Sequence, residues 1–251
     1  MAGKRAALVT GASYGVGAAT ALALARDGFD VAITATKIEN LTATMATLED
    51  LGVRVVPAVL GLRDAAGIAP VAGEIIAALG RLDVLVNNAG ANLRRDAVDV
   101  TPPEWDALMD VNLRGTFFLT QQIGRHLIAA GRGGCIVNIA STYALVGAAE
   151  RSTYGISKAA LVGMTRMLAA EWGKHNIRVN AVAPGRLVTP SPSRAVKGAD
   201  PAYMEAMLNR IPLHRQADVE EVAAAVAYLV GPAAASMTGQ VLVLDGGLTA
   251  V

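Results

Sequence analysis

The fold of this chain is decided by the stretch Ala6-Ala7-Leu8-Val9-Thr10-Gly11-Ala12-Ser13-Tyr14-Gly15-Val16-Gly17. Its apolar start predicts a buried strand, and the Ala- and Leu-rich segment from Ala18 to Ala25 predicts a helix directly after the glycines. Glycines in such a turn let the backbone approach a pyrophosphate closely, and the first turn of the helix offers free N–H groups to that anion. The order of strand, glycine turn and helix therefore predicts a dinucleotide-binding loop.

The rest of the chain alternates short β-type runs with longer helical segments. Strands are predicted at about 5–10, 30–35, 53–59, 83–87, 134–140, 177–183 and 240–244. The runs Val84–Val86 and Cys135–Val137 are apolar throughout, which is typical of strands buried on both faces of a parallel sheet. With right-handed crossovers, this order predicts a single α/β domain over residues 1–251, a doubly wound parallel sheet of the Rossmann type.

The composition disfavours several classes of protein. The 22 Lys and Arg nearly balance the 21 Asp and Glu, so nothing indicates nucleic acid or an anionic membrane as a partner. No apolar run reaches the roughly 18 residues that span a bilayer. Cys135 is the only cysteine, so no intrachain disulfide can form and a buried, inert thiol is expected. We expect a soluble cytoplasmic protein.

Three histidines remain, at positions His126, His175 and His214. None has metal-ligand spacing to another, so we predict no metal site. Helix-surface or lid positions account for all three.

A second decisive pattern is Tyr154-Gly155-Ile156-Ser157-Lys158, with Ser141 thirteen residues upstream. Four residues are about one helical turn, so Tyr154 and Lys158 share a helix face and the ammonium can lower the pKa of the phenol. Such a phenol exchanges a proton with an alcohol near neutral pH, which a free phenol with a pKa of about 10 does poorly. The spacing also occurs by chance in helices, and it indicates carbonyl and alcohol chemistry only in company with the glycine loop.

Together with Asn87-Asn88-Ala89-Gly90, Asn112 and Pro184-Gly185, these motifs resemble those of the short-chain dehydrogenase/reductase family. They occur in the family's order and span almost the whole chain, from about Arg5 to Gly247. The resemblance implies an enzyme that transfers a hydride between a nicotinamide cofactor and a carbonyl or secondary alcohol.

The resemblance also implies four catalytic residues. By matching motif, Tyr154 is the acid/base, and Lys158 lowers its pKa and binds the nicotinamide ribose. Ser141 hydrogen-bonds the reacting oxygen, and Asn112 holds a water that links the lysine to solvent. Structural readings remain open for two of them, a helix-interior amide for Asn112 and a strand-end cap for Ser141.

A larger set of residues is implied to contact the cofactor. The two asparagines of the Asn-Asn-Ala-Gly turn follow a buried strand beside the nucleotide crevice, where part of the motif can also be purely structural. The full set is Gly11, Ser13, Tyr14, Gly15, Val16, Gly17, Thr36, Lys37, Leu62, Asn88, Ala89, Gly90, Tyr154, Lys158, Pro184, Gly185 and Thr189.

The choice between NADP and NAD depends on the end of the second strand. An acidic residue there would bind both ribose hydroxyls and repel a 2′-phosphate, but Ala35 occupies the position and Glu39 is the first acid. Thr36 and Lys37 follow, and the lysine could pair with the phosphate. NADP is therefore expected, with NAD as the alternative. Gly61 stands where relatives commonly carry an Asp that holds adenine, so adenine binding must rely on backbone groups such as those of Leu62.

Evidence for the substrate is sparser. Arg94 and Arg95 follow the Asn-Ala-Gly turn and could receive a carboxylate, or they could be solvated or paired with Asp96 and Asp99. Their segment and the ending Asp245–Ala250 are similar to sugar-acid dehydrogenases of the gluconate 5-dehydrogenase type. Residues expected beside Ser141 in the pocket are Thr142, Tyr143 and Val146. The long irregular stretch at about 186–217, with a helix predicted at Pro201–Leu208, is expected to be a substrate lid.

Three functions remain open at this point. The first is an NADP-dependent oxidoreductase of a small polar ketone or sugar acid, and the second is a 3-oxoacyl-thioester reductase, for which Arg210, His214 and Arg215 could form a carrier-binding basic patch. The third is a non-catalytic nucleotide-binding regulator, although a regulator would have no need of all four catalytic residues. The apolar helical segments 103–130 and 152–172 resemble those that pair in family tetramers, so a homotetramer is expected.

Overall fold

The computed structural model describes residues 4–188 and 201–251. Seven strands form one parallel sheet, in the order β3-β2-β1-β4-β5-β6-β9. They are β1 (Ala6–Thr10), β2 (Asp30–Ala35), β3 (Val55–Val59), β4 (Val84–Asn87), β5 (Gly134–Ile139), β6 (Ile177–Pro184) and β9 (Val241–Leu244). All seven predicted strands are present, and the predicted doubly wound parallel sheet is confirmed.

Helices cover both faces of this sheet. They are α1 (Gly15–Arg26), α2 (Thr42–Glu49), α3 (Ala65–Leu79), α4 (Pro102–Met109), α5 (Thr116–Ala130), α6 (Ser152–Trp172), α7 (Pro201–Leu208) and α8 (Val219–Val230). Between α4 and α5 the chain continues without a break as a π-helical segment, Asp110–Gly115. Glycines in the left-handed conformation end α3 at Gly80 and α5 at Gly131.

The core lies on both faces of the sheet, because successive strand residues point to opposite sides. Leu8, Leu85 and Ile136 pack with α3, α5 and α6, whereas Val86 and Val137 pack with α1 and α8. Strands with two buried faces must be apolar throughout, which explains the continuous apolar runs of the sequence.

The direction of winding reverses between β1 and β4. From β1 the chain winds outward to β2 and β3, returns to β4, and then winds the other way through β5 and β6. The loops at the carboxyl ends of β1 and β4 therefore diverge and leave a crevice, which is where ligands bind in open α/β sheets. Both predicted motifs of the cofactor site follow these two strands.

A short two-stranded sheet joins the ends of the segment expected to be the lid. β7 (Leu187–Val188) pairs in parallel with β8 (Ala217–Asp218). The helix predicted at Pro201–Leu208 is present as α7. Thr189, which is among the expected cofactor contacts, lies outside the described residues.

Two single residues complete the description of the core. Cys135 in β5 is 3% exposed, and burial raises the pKa of its thiol to about 11, as expected for an inert thiol. His126 differs from its expected surface position, because its Nε2 atom is buried in α5 without a hydrogen-bond partner among the described residues, and burial lowers the pKa of its imidazole. Within the described ranges, no helix is long and apolar enough to cross a bilayer, and no cluster of His, Cys, Asp and Glu could hold a metal.

Candidate active site

The glycine loop between β1 and α1 has the conformation that its sequence predicts. Gly11 and Gly15 have φ angles of 64° and 60°, in the left-handed region that favours glycine. A Cβ at Gly17 would overlap the carbonyl oxygen of Gly11, so a larger residue there would force the loop apart. Tyr14 precedes the first turn of α1 in an extended conformation, and within the described part of the chain its side chain makes no capping hydrogen bond. The N–H groups of that turn are therefore available to an anion.

The Asn-Ala-Gly turn after β4 is tied to this loop by hydrogen bonds. The Asn88 side-chain amide donates to the carbonyls of Thr10 and Gly11, each at 2.9 Å. The Thr10 hydroxyl accepts from the N–H groups of Asn88 and Ala89, each at 3.0 Å. The two predicted motifs thus form one structure across the crevice, and the structural reading of this turn holds alongside its expected role in cofactor binding.

Lys158 is the buried cation of the site. Its ammonium donates to the carbonyl of Ile139 at 2.7 Å and lies 5.8 Å from the centre of the Tyr154 ring, one turn earlier on α6. The residue is 4% exposed, and burial lowers the pKa of the ammonium to about 8. A Cβ at Gly90 would lie only 3.5 Å from this ammonium, so the glycine leaves the approach to Lys158 open.

A short helical turn after β5 contacts Tyr154 through Tyr143 and begins at Ser141. The Tyr143 ring packs edge-on against the Tyr154 ring, with centroids 6.3 Å apart. The Ser141 hydroxyl oxygen accepts from the N–H of Tyr143 at 3.2 Å, so the serine does cap this turn. A serine hydroxyl keeps its own donor while it accepts, and the structural role leaves its proton free for a substrate oxygen.

Asn112 sits in the π-helical segment, which the sequence did not predict. Its side chain accepts from the N–H of Ala91 at 2.7 Å and donates to the Ala91 carbonyl at 2.9 Å and to the Ser157 hydroxyl at 3.0 Å. Single turns of π-helix occur frequently at functional sites, because they shift side chains out of the α-helical register. Ser157, which lies inside the Tyr-Lys motif, is thereby a member of the site that sequence reasoning missed.

The end of β2 changes from buried to exposed at Thr36. Ala35 is buried, and Thr36 and Lys37 directly after it are exposed. Leu62, whose backbone was expected to bind adenine, has a buried side chain, unlike Thr36 and Lys37. Its carbonyl oxygen packs against Gly115. At Gly61 an added Cβ would meet open space among the described residues.

The loop after β6 is held against the C-terminal strand. The N–H of Gly185 donates to the Leu244 carbonyl at 2.8 Å, and a Cβ at Gly185 would lie 2.9 Å from the Cα of Asp245. Pro184 is the last residue of β6 and is paired with Leu244. This places Pro184-Gly185 at the same edge of the sheet as the other motifs.

The arginines proposed for the substrate form ion pairs with glutamates that are distant in sequence. Arg94 contacts Glu150, and Arg95 contacts Glu104. The backbone adds to the first link, because the N–H of Arg95 donates to the Glu150 carbonyl at 3.0 Å. The alternative of ion pairing thus involves Glu150 and Glu104 in place of Asp96 and Asp99, because the loop folds against the one before α6 and against α4.

The three residues expected beside Ser141 differ in exposure. Thr142 is buried at 3% exposure, and its carbonyl accepts from the N–H groups of Leu145 and Val146. Tyr143 is half-buried, and Val146 is exposed. The side chains of Tyr143 and Val146 are therefore more accessible to a substrate than that of Thr142.

The crevice fits a dinucleotide. The positive-φ glycines bring the backbone to the rim, the first turn of α1 is open to an anion, and Gly90 leaves space over the buried Lys158. Such a crevice suits a pyrophosphate and a ribose better than a bulky apolar ligand. The loops at the carboxyl ends of β1, β4 and β5 would hold the group.

Comparisons with known proteins agree with this geometry. A family model described as Enoyl-(Acyl carrier protein) reductase matches residues 11–249. The 3-oxoacyl-(acyl-carrier-protein) reductase of Thermotoga maritima is 41% identical, over 96% of each chain. The 2-dehydro-3-deoxy-D-gluconate 5-dehydrogenase of Escherichia coli is 36% identical, over 97% of this chain and 94% of that one. The structure of an actinorhodin polyketide ketoreductase with NADPH has a TM-score of 0.92 at 33% identity and covers 99% of this chain and 98% of that chain.

Fold, crevice and relatives together define a class of protein, the α/β oxidoreductases that interconvert carbonyl and alcohol groups with a nicotinamide cofactor. Within that class the family is settled by the length of the matches, which cover nearly the whole chain. The chain belongs to the short-chain dehydrogenase/reductase family.

Proposed function

We propose that this protein is an NADP-dependent oxidoreductase of a small polar ketone or sugar acid, with Tyr154 as its acid/base. One observation carries the proposal. The Lys158 ammonium is buried, held at 2.7 Å by the Ile139 carbonyl, and lies beside the Tyr154 ring. A cation fixed next to a phenol stabilises the phenolate, which a tyrosine acid/base requires near neutral pH.

Each of the four residues then has a step in the reaction. In the direction of reduction, Tyr154 gives its hydroxyl proton to the carbonyl oxygen as that oxygen gains negative charge, and Lys158 stabilises the phenolate that remains. Ser141 donates a hydrogen bond to the same oxygen. Asn112 holds a water that links Lys158 to solvent. When bound, the reduced nicotinamide supplies the hydride to the carbonyl carbon.

The preference for NADP is supported by the end of β2. Thr36 and Lys37 are exposed beside the buried Ala35, and the first acidic side chain comes only at Glu39. A 2′-phosphate would therefore meet a cation and a hydroxyl rather than a carboxylate. The related ketoreductase structure contains NADPH. NAD is the alternative.

The substrate class is supported by the loop that carries Arg94 and Arg95. Both guanidinium groups are partly exposed, and each pairs with a glutamate at the protein surface. An anionic substrate could therefore compete with these glutamates for the arginines. The Escherichia coli relative is named for a sugar acid.

A 3-oxoacyl-thioester is the second candidate substrate, favoured by the 41% identity to the Thermotoga maritima reductase. The proposed basic patch for a carrier is weakened, because Arg215 forms two hydrogen bonds with Glu221 at 2.7 and 2.8 Å. Arg210 and His214 form no ion pair among the described residues and stay available to a carrier. The alternative of a non-catalytic regulator is less favoured, because a regulator could use Lys158 to bind the ribose but would have no need of Tyr154, Ser141 and Asn112 as well.

Residues 186–217 are proposed to form the substrate lid, of which residues 189–200 lie outside the described part of the chain. Pairing of β7 with β8 holds the two ends of the segment together, and Leu213 donates to the Gly246 carbonyl at 3.0 Å. A loop whose ends are fixed in this way can close over a crevice without disturbing the sheet. The protein is further proposed to act in the cytoplasm as a homotetramer.

The reaction is tested by a screen of the purified protein for NADPH oxidation. Oxo-sugar acids, acetoacetyl thioesters and 1,2-diketones are offered separately, and NADH replaces NADPH in a parallel series. Turnover of the sugar acids or diketones above that of the thioesters supports the first candidate, and the reverse order supports the second. Absence of turnover with every carbonyl and both cofactors would contradict the proposal.

The role of Tyr154 is tested by Tyr154→Phe. We expect the variant to fold and bind NADPH as the wild type does, yet to lose on the order of 10²–10⁴ in kcat, because the proton donor is gone. Tyr228→Phe is the matched control, since it removes a phenolic hydroxyl from an exposed position on α8. Retained turnover in Tyr154→Phe would exclude this tyrosine as the acid/base.

A further inference from the structure

A buried chain of polar side chains crosses one face of the sheet beneath the site. The amide of Asn87, at the end of β4, donates to the Thr120 hydroxyl on α5 and to the Asn138 side-chain carbonyl on β5, each at 2.8 Å. The amide of Asn138 in turn donates to the Thr165 hydroxyl on α6 at 2.9 Å. All four residues are at most 4% exposed. Nothing in the mechanism above uses them.

The direction of these hydrogen bonds is fixed. The Thr120 and Thr165 hydroxyls donate to the carbonyls of Thr116 and Leu161 on their own helices, at 2.7 and 2.8 Å. Each hydroxyl has only one proton, so it can only accept from its asparagine. Asn138 therefore joins α6 to the central strands by one specific bond, at a depth that water does not reach.

This bond lies on the same face of α6 as the reacting groups. Thr165 follows Lys158 by seven residues, which is about two helical turns, and Tyr154 precedes Lys158 by about one turn. Their partners on β5 are adjacent, since Thr165 contacts Asn138 and Lys158 contacts the carbonyl of Ile139. Ser141 follows three residues after Asn138.

We propose that Asn138 and Thr165 are positioning residues that fix the position of α6 along its axis relative to β5. They thereby fix the positions of Tyr154 and Lys158 relative to Ser141. The inference rests on the proposed function, which gives those three residues their roles. A helix that moves along its axis by one residue shifts by about 1.5 Å. Misplacement of reacting groups by about 1 Å can cost on the order of 100-fold in rate.

The structure supplies a matched pair of variants. Thr165→Val and Thr120→Val make the same change of shape at fully buried positions and remove the same kind of hydrogen bond from an asparagine amide. Only the first loosens α6, whereas the second loosens α5. We expect Thr165→Val to lower kcat about tenfold or more with little change in the Kd of NADPH, and Thr120→Val to leave kcat within about twofold. Thr165→Ser should restore kcat.

The same pair of variants separates positioning from stability. Each substitution leaves one buried amide proton without its acceptor, that of Asn138 in Thr165→Val and that of Asn87 in Thr120→Val, so we expect both to lower the melting temperature by a similar amount. A general loss of stability would therefore lower kcat equally in the two variants, whereas a positioning role lowers it only in Thr165→Val. Equal losses of kcat in Thr165→Val and Thr120→Val would overturn the proposal.

A readout without turnover keeps this test independent of the reaction. The Lys158 side chain can be titrated by NMR in protein with labelled lysine. Loosening of α6 admits water to the ammonium, so we expect the midpoint of its titration to rise by about 0.5 pH or more in Thr165→Val but not in Thr120→Val. Failure of the wild type to reduce any carbonyl would contradict the proposed function and leave this readout in place, whereas equal midpoints in all variants would overturn the positioning role.

Discussion

Lys158 is a single cation at a buried position where the fold would favour an apolar side chain. Its neighbours are a strand carbonyl, an aromatic ring and the backbone of Gly90, and no carboxylate of the described residues forms an ion pair with it within 4 Å. Burial of an unpaired charge destabilises a fold, and the lowered pKa is the sign of that cost. Activity and stability therefore oppose each other at this position.

Lys158→Met is expected to abolish turnover and to raise the free energy of unfolding by up to about 3 kcal/mol at pH 7, the value that corresponds to lowering the ammonium pKa from 10.5 to about 8. Below pH 8 the lysine is charged in both the folded and the unfolded state, so the cost is complete there. Between pH 8 and 10.5 the folded state loses its proton first, and the cost disappears. Urea denaturation at pH 7 and pH 10 measures the difference between variant and wild type, which should shrink at the higher pH.

Lys174→Met is the control for this prediction, because Lys174 is exposed. It should leave the free energy of unfolding unchanged at both pH values. A constant difference between Lys158→Met and the wild type from pH 7 to pH 10 would show that the ammonium is not desolvated.

Ala35→Asp is the residue-scale prediction for the cofactor. A carboxylate at this position would face the 2′-phosphate and bind the free ribose hydroxyls of NAD, so the ratio of kcat/KM for NADPH to that for NADH should fall on the order of 100-fold. Ala35→Asn has nearly the same size without the charge and should change the ratio far less. A wild type that already prefers NADH would contradict the interpretation of this strand end.

At the scale of elements, α2 is connected to the glycine loop by one buried hydroxyl. The hydroxyl of Thr44, a residue with 5% exposure, donates to the carbonyl of Ala12 at 2.9 Å. The N–H of Ala12 in turn donates to the carbonyl of Thr34 near the end of β2. The loop backbone is thus fixed from two sides. The segment that precedes α2 carries Thr36 and Lys37. The contact of Thr44 with Ala12 therefore joins the glycine loop, expected to bind the pyrophosphate, to the helix that follows the expected 2′-phosphate site.

Thr44→Val is expected to raise the Kd of NADPH about tenfold with little change in kcat, because a lost buried hydrogen bond of about 1–1.5 kcal/mol would release the loop. Fluorescence titration of NADPH measures the Kd. Thr47→Val is the matched control, since its hydroxyl donates to the Ala43 carbonyl on the exposed face of the same helix. Equal affinities in the two variants would mean that Thr44 does not support the loop.

How far the sequence predicts these elements depends on the range of the interaction. Apolar runs and glycine turns are local signals, so all seven strands of the large sheet and both crevice motifs were predicted within a few residues. The π-helical turn around Asn112 was missed, because it is stabilised by contacts to Ala91 and Ser157, which lie 21 and 45 residues away. The ion pair of Arg94 with Glu150 spans 56 residues and was missed for the same reason. Local patterns carry no information about such pairs.

For the whole molecule, the exposed apolar side chains of α5 and α6 indicate assembly. Ile156 and Met167 on α6 are 48% and 68% exposed, and Phe117 and Ile128 on α5 are also exposed. Each pair is separated by eleven residues, which returns to the same face after about three helical turns. Monomeric proteins rarely present such stripes on two neighbouring helices, whereas symmetric oligomers bury them.

Light scattering at micromolar concentration should therefore report a mass of four chains, or of two if only one axis forms. Met167→Glu is expected to reduce the mass, because it places a charge in the contact. Leu51→Glu, an exposed apolar residue in the turn after α2, should leave the mass unchanged. A fully active monomer would contradict the proposed tetramer.

Chemical labelling of the single buried thiol of β5 can also report on unfolding of the chain. Cys135 can react with a thiol reagent only when the central sheet opens and the thiol reaches water, because burial keeps it both inaccessible and protonated. The rate of labelling then measures how often the native state opens, with no second cysteine to confuse the signal. A ligand that binds the crevice should slow this labelling in proportion to its concentration above Kd, whether or not its turnover can be detected.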